Sequence, residues 1–177
     1  MKKEKLLIAA AAGVGVAAVA YKLLTRRDIP EWATPVENFD INRYLGKWYE
    51  LARFESRIEK DLKHVTEDYS IDAYGNIRVV TTGYNYKKHK TIRATGKMKF
   101  VGAEDVAMLK VSYFGPFYAN YNVIDIDPEY RHALVCTNNL EYLWVLSRET
   151  TLPDEIKAQF INRAIGIGFD VDMLEWV

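Results

Sequence analysis

Few residues in this chain of 177 could perform nucleophilic or metal chemistry. Cys136 is the only cysteine, which excludes an intrachain disulfide and a cysteine-rich zinc site. His64, His89 and His132 have no metal-ligand spacing, and no G-x-S-x-G, P-loop or H-E-x-x-H motif occurs. The sequence therefore predicts no catalytic residue, no metal site and no cofactor, and it predicts a buried apolar role for the cysteine.

Glu67 is a carboxylate in a stretch of otherwise alternating residues. It shares a predicted face with Val65, Tyr69 and Ile71. A carboxylate on an apolar face is costly unless water, a cation or a ligand headgroup meets it. Glu67 is therefore a candidate headgroup contact, and a solvated or structural carboxylate is the alternative.

A run of 13 residues carries six cations and no acid. The six are Lys87, Lys88, Lys90, Arg93, Lys97 and Lys99. They could attract anionic lipid headgroups or form the solvated outer face of a strand. Over the whole chain, Lys+Arg and Asp+Glu both number 24. Because no net field remains to hold a phosphate backbone, nucleic acid is not a predicted partner.

The elements that must position these residues are mostly strands. Period-two alternation recurs in eight short segments separated by turn residues, and it is clearest at 91–100, where apolar residues and glycine alternate with Arg, Thr and Lys. The predicted strands are 48–54, 65–71, 77–84, 91–100, 107–113, 121–126, 133–136 and 142–147. Since no crossover helix separates them, neighbouring strands should pair antiparallel in up-and-down order.

One amphipathic helix is predicted after the last long strand. It begins near Pro153, has apolar residues at helical spacing, ends near Gly166 or Gly168, and precedes a short extended piece at 174–177. The fold class is therefore all-β, an eight-stranded antiparallel up-and-down barrel with one C-terminal helix, because closure removes the two exposed edges. A barrel of this size has an interior about one small ligand wide.

Alternation also predicts which side chains face that interior, either as a ligand lining or as core filling. These are Tyr69, Ile71, Ile92, Ala94, Met98, Leu109, Val111 and Tyr113, with Glu67 on the same face.

Residues 1–29 form a hydrophobic leader. A basic start precedes an apolar run from Leu6 to Leu24, whose length is close to the roughly 20 residues that cross a bilayer. Ala18-Val19-Ala20 also fits a signal-peptide cleavage site. We therefore expect an N-terminal hydrophobic helix that is either a signal peptide or a transmembrane anchor, then a spacer at 30–37 and a folded domain at 38–177.

Several short blocks of this sequence together form a recognisable set of motifs. Gly46-Lys47-Trp48 opens the first strand, and further blocks lie at 114–118, 121–127, 130–136 and 143–148. Together they resemble the lipocalin family, and within it the bacterial outer-membrane lipocalins related to apolipoprotein D. The family's second motif, Thr-Asp-Tyr, is only partly present, as Asp127 and Tyr130. The resemblance covers about residues 38–177.

The resemblance implies structural roles and a function. In the family a tryptophan closes the barrel floor and an arginine crosses its ring, which assigns these roles to Trp48 and Arg148, with Gly46 at the entry to the strand. It implies binding and carriage or storage of small hydrophobic ligands, most of all fatty acids or lysophospholipids, at the cell envelope. A lipocalin-fold enzyme acting on a lipid or isoprenoid is the alternative.

The resemblance also bears on localisation. Bacterial members of this type usually carry a cysteine that is acylated after signal cleavage, whereas no cysteine precedes position 136 here. The chain is therefore predicted to be anchored in a membrane through its N-terminal helix, or exported, at the cell envelope, and not to be an acylated lipoprotein. A homodimer is left open.

Overall fold

The computed structural model describes residues 27–54 and 61–177. The predicted N-terminal hydrophobic helix lies outside these residues. The described residues form nine strands: β1 Gly46–Phe54, β2 Leu62–Ile71, β3 Ile77–Asn85, β4 Lys90–Phe100, β5 Met108–Phe114, β6 Phe117–Ile126, β7 His132–Cys136, β8 Leu143–Ser147 and β9 Leu174–Trp176. Within the described ranges, no helix is long and apolar enough to cross a membrane.

Strands β1 to β8 form a closed barrel. Each strand pairs antiparallel with its neighbour in sequence, and β1 also pairs with β8. This confirms the predicted up-and-down order. The order arises because two strands joined by a short turn can pair only antiparallel. The register carries one interior row around the wall, in which Trp48 lies opposite Glu67, Glu67 opposite Thr81 and Thr81 opposite Ala94.

The C-terminal helix packs on the outside of the barrel. Helix α2 runs over Asp154–Ile167, after the short helix α1 at Ile41–Tyr44. Its buried residues Phe160, Ala164 and Ile167 join an outer core with the outward side chains of β1, β7 and β8. It ends at Gly168, whose φ of 105° favours glycine. The predicted extended piece is β9, which extends the sheet along β1.

A second core fills one end of the barrel, which we call the floor. Phe39, Tyr44 and Tyr130 pack there against Trp48 and the neighbouring strand ends. The segment predicted as a spacer, 30–37, is bonded to the barrel wall. Its Val36 amide donates to the Val123 carbonyl of β6 at 2.9 Å. The opposite end, which we call the mouth, is bounded by the β3–β4, β5–β6 and β7–β8 turns.

Candidate functional site

The floor is closed by Trp48 and Arg148. The indole is fully buried and donates through Nε1 to the Tyr44 carbonyl at 2.8 Å. The Arg148 Cζ lies 3.9 Å from the centroid of the indole, and its Nη atoms donate to the carbonyls of Lys47, Arg43 and Tyr44. A cation over an aromatic face and hydrogen bonds from the charged guanidinium to backbone carbonyls both stabilise this end.

Gly46 permits this arrangement. Its φ is 88°, a backbone conformation that side chains disfavour, and a Cβ built there would lie 3.5 Å from Arg148 Nη1. Because a Cβ at that distance would make an ordinary contact, it is the positive φ that favours glycine two residues before the tryptophan.

Directly above the floor, three tyrosines and one carboxylate form a chain of hydrogen bonds inside the barrel. The Tyr69 hydroxyl donates to Glu67. The Tyr121 hydroxyl lies 2.7 Å from the hydroxyls of both Tyr69 and Tyr44. Because each hydroxyl has one proton, Tyr121 must donate to Tyr69 and Tyr44 to Tyr121. The chain therefore ends on Glu67, and this explains how a carboxylate is tolerated on an interior face.

We expect this tyrosine chain to make the protein sensitive to alkali. Burial raises the pKa of Tyr44, Tyr69 and Tyr121 well above the ordinary 10.0. Above about pH 10 the unfolded chain loses phenolic protons that the folded protein keeps, so the free energy of unfolding falls as the pH rises. Phenolate absorbance should show three of the 12 tyrosines ionising only when circular dichroism reports unfolding. Ionisation of all of them in the folded barrel would contradict this.

A buried ion pair lies nearer the mouth. The Arg53 guanidinium forms an ion pair with Glu50, and both side chains are only 2–3% exposed. Across the strand pair, Arg53 lies opposite Trp144 and Glu50 opposite Leu146. Leu146 belongs to the core inside the barrel and Trp144 packs against that core, so the ion pair also faces the barrel interior. Arg53 also donates to the Leu62 carbonyl at 2.8 Å. Neither residue was predicted from the sequence as a site residue.

The predicted lining residues lie at two levels. Tyr69, Met98 and Leu109 are buried among the residues of the floor core. Ile92, Ala94, Val111 and Tyr113 are only half-buried although the register turns them inward. Inward side chains with residual exposure indicate that the upper interior opens toward the mouth.

Two further predicted positions differ from these. Ile71 is not brought together with the other lining positions, since it ends β2 with 38% exposure. Glu67 is half-buried within the hydrogen-bonded chain described above. Tyr113 adds a polar contact at the upper level, where its hydroxyl lies 2.6 Å from Thr81 Oγ1.

The six cations of the basic run lie on exposed positions. Lys97 and Lys99 point outward over the Tyr118 ring, at 5.8 and 4.6 Å. Arg93 lines an open groove on the outer wall with Lys47 and Asp68. These positions match a solvated outer strand face, while Lys87, Lys88 and Lys90 belong to the mouth.

Cys136 and the histidines show no reactive arrangement in the described part of the chain. Burial beneath α2 raises the pKa of the Cys136 thiol to about 12, so the thiol stays protonated at neutral pH and is a poor nucleophile. His132 lies 3.1 Å from Ser147 Oγ, and burial lowers its pKa. Among the described residues, no group of three potential ligands could hold a metal ion.

Comparison with known proteins decides the family. The sequence model of a protein family described as a lipocalin-like domain matches residues 39–177. The chain belongs to the lipocalin family. It is 50% identical over 148 residues to the outer membrane lipoprotein Blc of Citrobacter freundii, covering 84% of each chain. It is 33% identical over 134 residues to apolipoprotein D of Bos taurus, covering 67% and 66% of the two chains.

Solved structures agree with this fold. The cockroach allergen Per a 4 superposes with a TM-score of 0.66 at 24% identity, covering 85% of this chain and 94% of that one. At this identity the likeness shows the shared barrel and nothing about the ligand.

The prediction that this lipocalin is not an acylated lipoprotein is wrong. The Citrobacter relative, half identical over most of both chains, is named an outer membrane lipoprotein. The prediction rested on one missing residue type in the leader, which says nothing about the class to which the barrel belongs. The missing cysteine therefore does not separate this chain from its lipoprotein relatives.

Proposed function

We propose that this lipocalin binds fatty acids or lysophospholipids and carries or stores them at the cell envelope. Lipocalins bind small hydrophobic ligands, and the observation that supports this ligand class is the layered interior. The floor is packed solid with buried aromatic rings, whereas Ile92, Ala94 and Val111 above it face inward and are only half-buried. An acyl chain can replace water against these residues.

The energetics of the upper interior suit a lipid with one tail. Each methylene taken out of water contributes about 0.8 kcal/mol, so a tail supplies most of the affinity. The wall also carries polar side chains, with Thr81 and Tyr113 joined by a hydrogen bond and the Glu50–Arg53 ion pair on β1. These groups can add hydrogen bonds to a carboxylate or glycerol headgroup, and a pure hydrocarbon ligand could make none of those bonds.

Two adjacent positions on β4 test the ligand site. Ala94 faces the interior and Thr95, its exposed neighbour, faces outward. Ala94→Phe should displace about three methylenes of a bound tail, worth about 0.8 kcal/mol each, and so weaken binding of a fluorescent fatty acid by about fiftyfold. Thr95→Phe adds the same ring outside the barrel and should bind within about twofold of the wild type. Equal affinities for the two variants would place the ligand elsewhere.

Extraction of lipid from the purified protein separates carriage from catalysis. Mass spectrometry of an organic extract should find unchanged lipid in stoichiometric amount. Consistent conversion of an added lipid to product would instead favour the lipocalin-fold enzyme. An empty protein that also fails to bind fatty acid would contradict both.

We also propose that residues 1–29 bring the barrel to a membrane, as an anchor or as a signal peptide. Their composition supports this, with an apolar run flanked by Lys and Arg. Mass spectrometry of the intact protein distinguishes the two cases, because cleavage after Ala20 would leave a mature N-terminus at Tyr21.

A further inference from the structure

The tip of the β5–β6 hairpin, residues 114–117, carries two exposed phenylalanines. Phe114 is 83% exposed and Phe117 is 79% exposed, and the two lie opposite each other across the turn. Two adjacent rings held in water are unfavourable and form a small apolar patch. We call this patch the aromatic tip.

The turn between β3 and β4 lies at the same end of the barrel and is basic. Strand β4 begins there at Lys90 and ends at Phe100, which pairs with Leu109, and β5 then returns to Phe114. Lys88 and Lys90 are exposed, and the flanking Tyr84 and Tyr86 are 38% and 39% exposed. Lys87 of the same turn pairs with Asp61 at 2.8 Å. We call Lys87, Lys88 and Lys90 the basic turn.

We propose that the mouth of the barrel docks on an anionic lipid bilayer through the aromatic tip and the basic turn. Aromatic rings favour the interface between headgroups and acyl chains, and cations beside them contact anionic headgroups. Both features border the opening to the half-buried interior. A docked mouth therefore lets a lipid pass between bilayer and barrel without crossing bulk water.

A second copy of the chain fits this end less well. A two-fold contact places the same patch on both partners, so each basic turn would lie close to the other. Two phenylalanines also present much less area than the roughly 800 Å² per partner of a stable interface. Charge complementarity thus favours anionic lipid. The inference goes beyond the proposed function, since the mouth can dock whether or not the interior holds a ligand.

A local probe tests the docking, because the hydrophobic leader of the full chain can bind vesicles by itself. Phe117→Cys and Tyr74→Cys variants of the full chain each carry an environment-sensitive NBD label. Tyr74 is 90% exposed in the turn at the opposite end of the barrel, so a label there serves as the control. The native Cys136 is buried, and labelling of the wild-type chain measures how much it reacts. Vesicles contain phosphatidylcholine, alone or with about one-third phosphatidylglycerol.

The label at 117 should increase in fluorescence by about threefold on the anionic vesicles and be quenched by spin-labelled lipid. The label at 74 should not respond. Lys88→Glu with Lys90→Glu should reduce the response at 117 by about tenfold, whereas Lys97→Glu with Lys99→Glu, the same charge change farther along β4, should leave it within about twofold.

Three outcomes would overturn the proposal. The label at 117 does not respond, it responds no more than the label at 74, or its fluorescence rises with protein concentration in the absence of vesicles, which would assign the tip to a second copy. Loss of fatty-acid binding in Ala94→Phe with docking intact would separate the two proposals.

Discussion

Replacing Arg53 by methionine is expected to lower the free energy of unfolding by about 3–5 kcal/mol. Arg53 and Glu50 are an ion pair inside the barrel, and each side chain is 2–3% exposed. Removing the guanidinium takes its positive charge away from the buried Glu50 carboxylate, and it removes the donor to the Leu62 carbonyl. Urea denaturation of the wild type and the variant measures the difference.

A matched set of variants separates burial from charge. Glu50→Leu combined with Arg53→Met removes both charges, so the double variant should recover most of the stability that Arg53→Met loses. Arg131→Met breaks an ion pair with Glu149 whose side chains are 52% and 53% exposed, and it should cost less than about 1 kcal/mol. A double variant as unstable as Arg53→Met would show that the pair stabilises the barrel through more than its mutual charge.

The architecture was predictable because most strands have one wet face and one dry face. From Thr91 to Phe100 on β4, each outward Lys, Arg or Thr alternates with an inward apolar residue or glycine, and the observed register keeps that parity. Short polar turns then leave antiparallel neighbours as the only pairing. Closure follows because an open sheet would leave two unpaired edges.

Strand β1 breaks this rule, and the Glu50–Arg53 pair was missed as a result. The register shifts between Glu50 and Ala52, so Glu50 and Arg53 both face inward although they are three residues apart. The outer face of β1 packs with α2 in the outer core and β9 pairs along its edge, so its residues are buried almost without interruption from Trp48 to Phe54. With both faces dry and a bulge in the middle, no alternation remains to be recognised.

The tyrosine chain was partly predictable. Parity placed Glu67 and Tyr69 on one interior face, and both take part in the chain. Tyr44 lies in a short helix ahead of β1, and Tyr121 is 77 residues away from it in sequence. Their contact depends on the closed barrel bringing distant strands together, which no local pattern encodes.

Replacing Trp48 by alanine is expected to lower the free energy of unfolding by about 3–5 kcal/mol. The indole is fully buried, its centroid lies 4.7 Å from that of Tyr44, and the Arg148 guanidinium covers its other face. Truncation leaves a cavity at the floor and removes the aromatic partner of the cation. Because Arg148 still reaches the carbonyls of α1, the floor should weaken without losing the barrel, and thermal unfolding followed by circular dichroism will show a lower midpoint.

Trp176→Ala is the matched control, since this indole on β9 is 42% exposed and should cost no more than about 1 kcal/mol. Arg148→Lys keeps the charge but cannot donate to several carbonyls at once, so its loss should lie between those of the two tryptophan variants. If Trp48→Ala costs no more than Trp176→Ala, the floor is held by the polar contacts of Arg148 and Tyr44 rather than by the buried ring. In that case Arg148→Lys should be the more damaging change, which makes the two accounts of the floor distinguishable in one series.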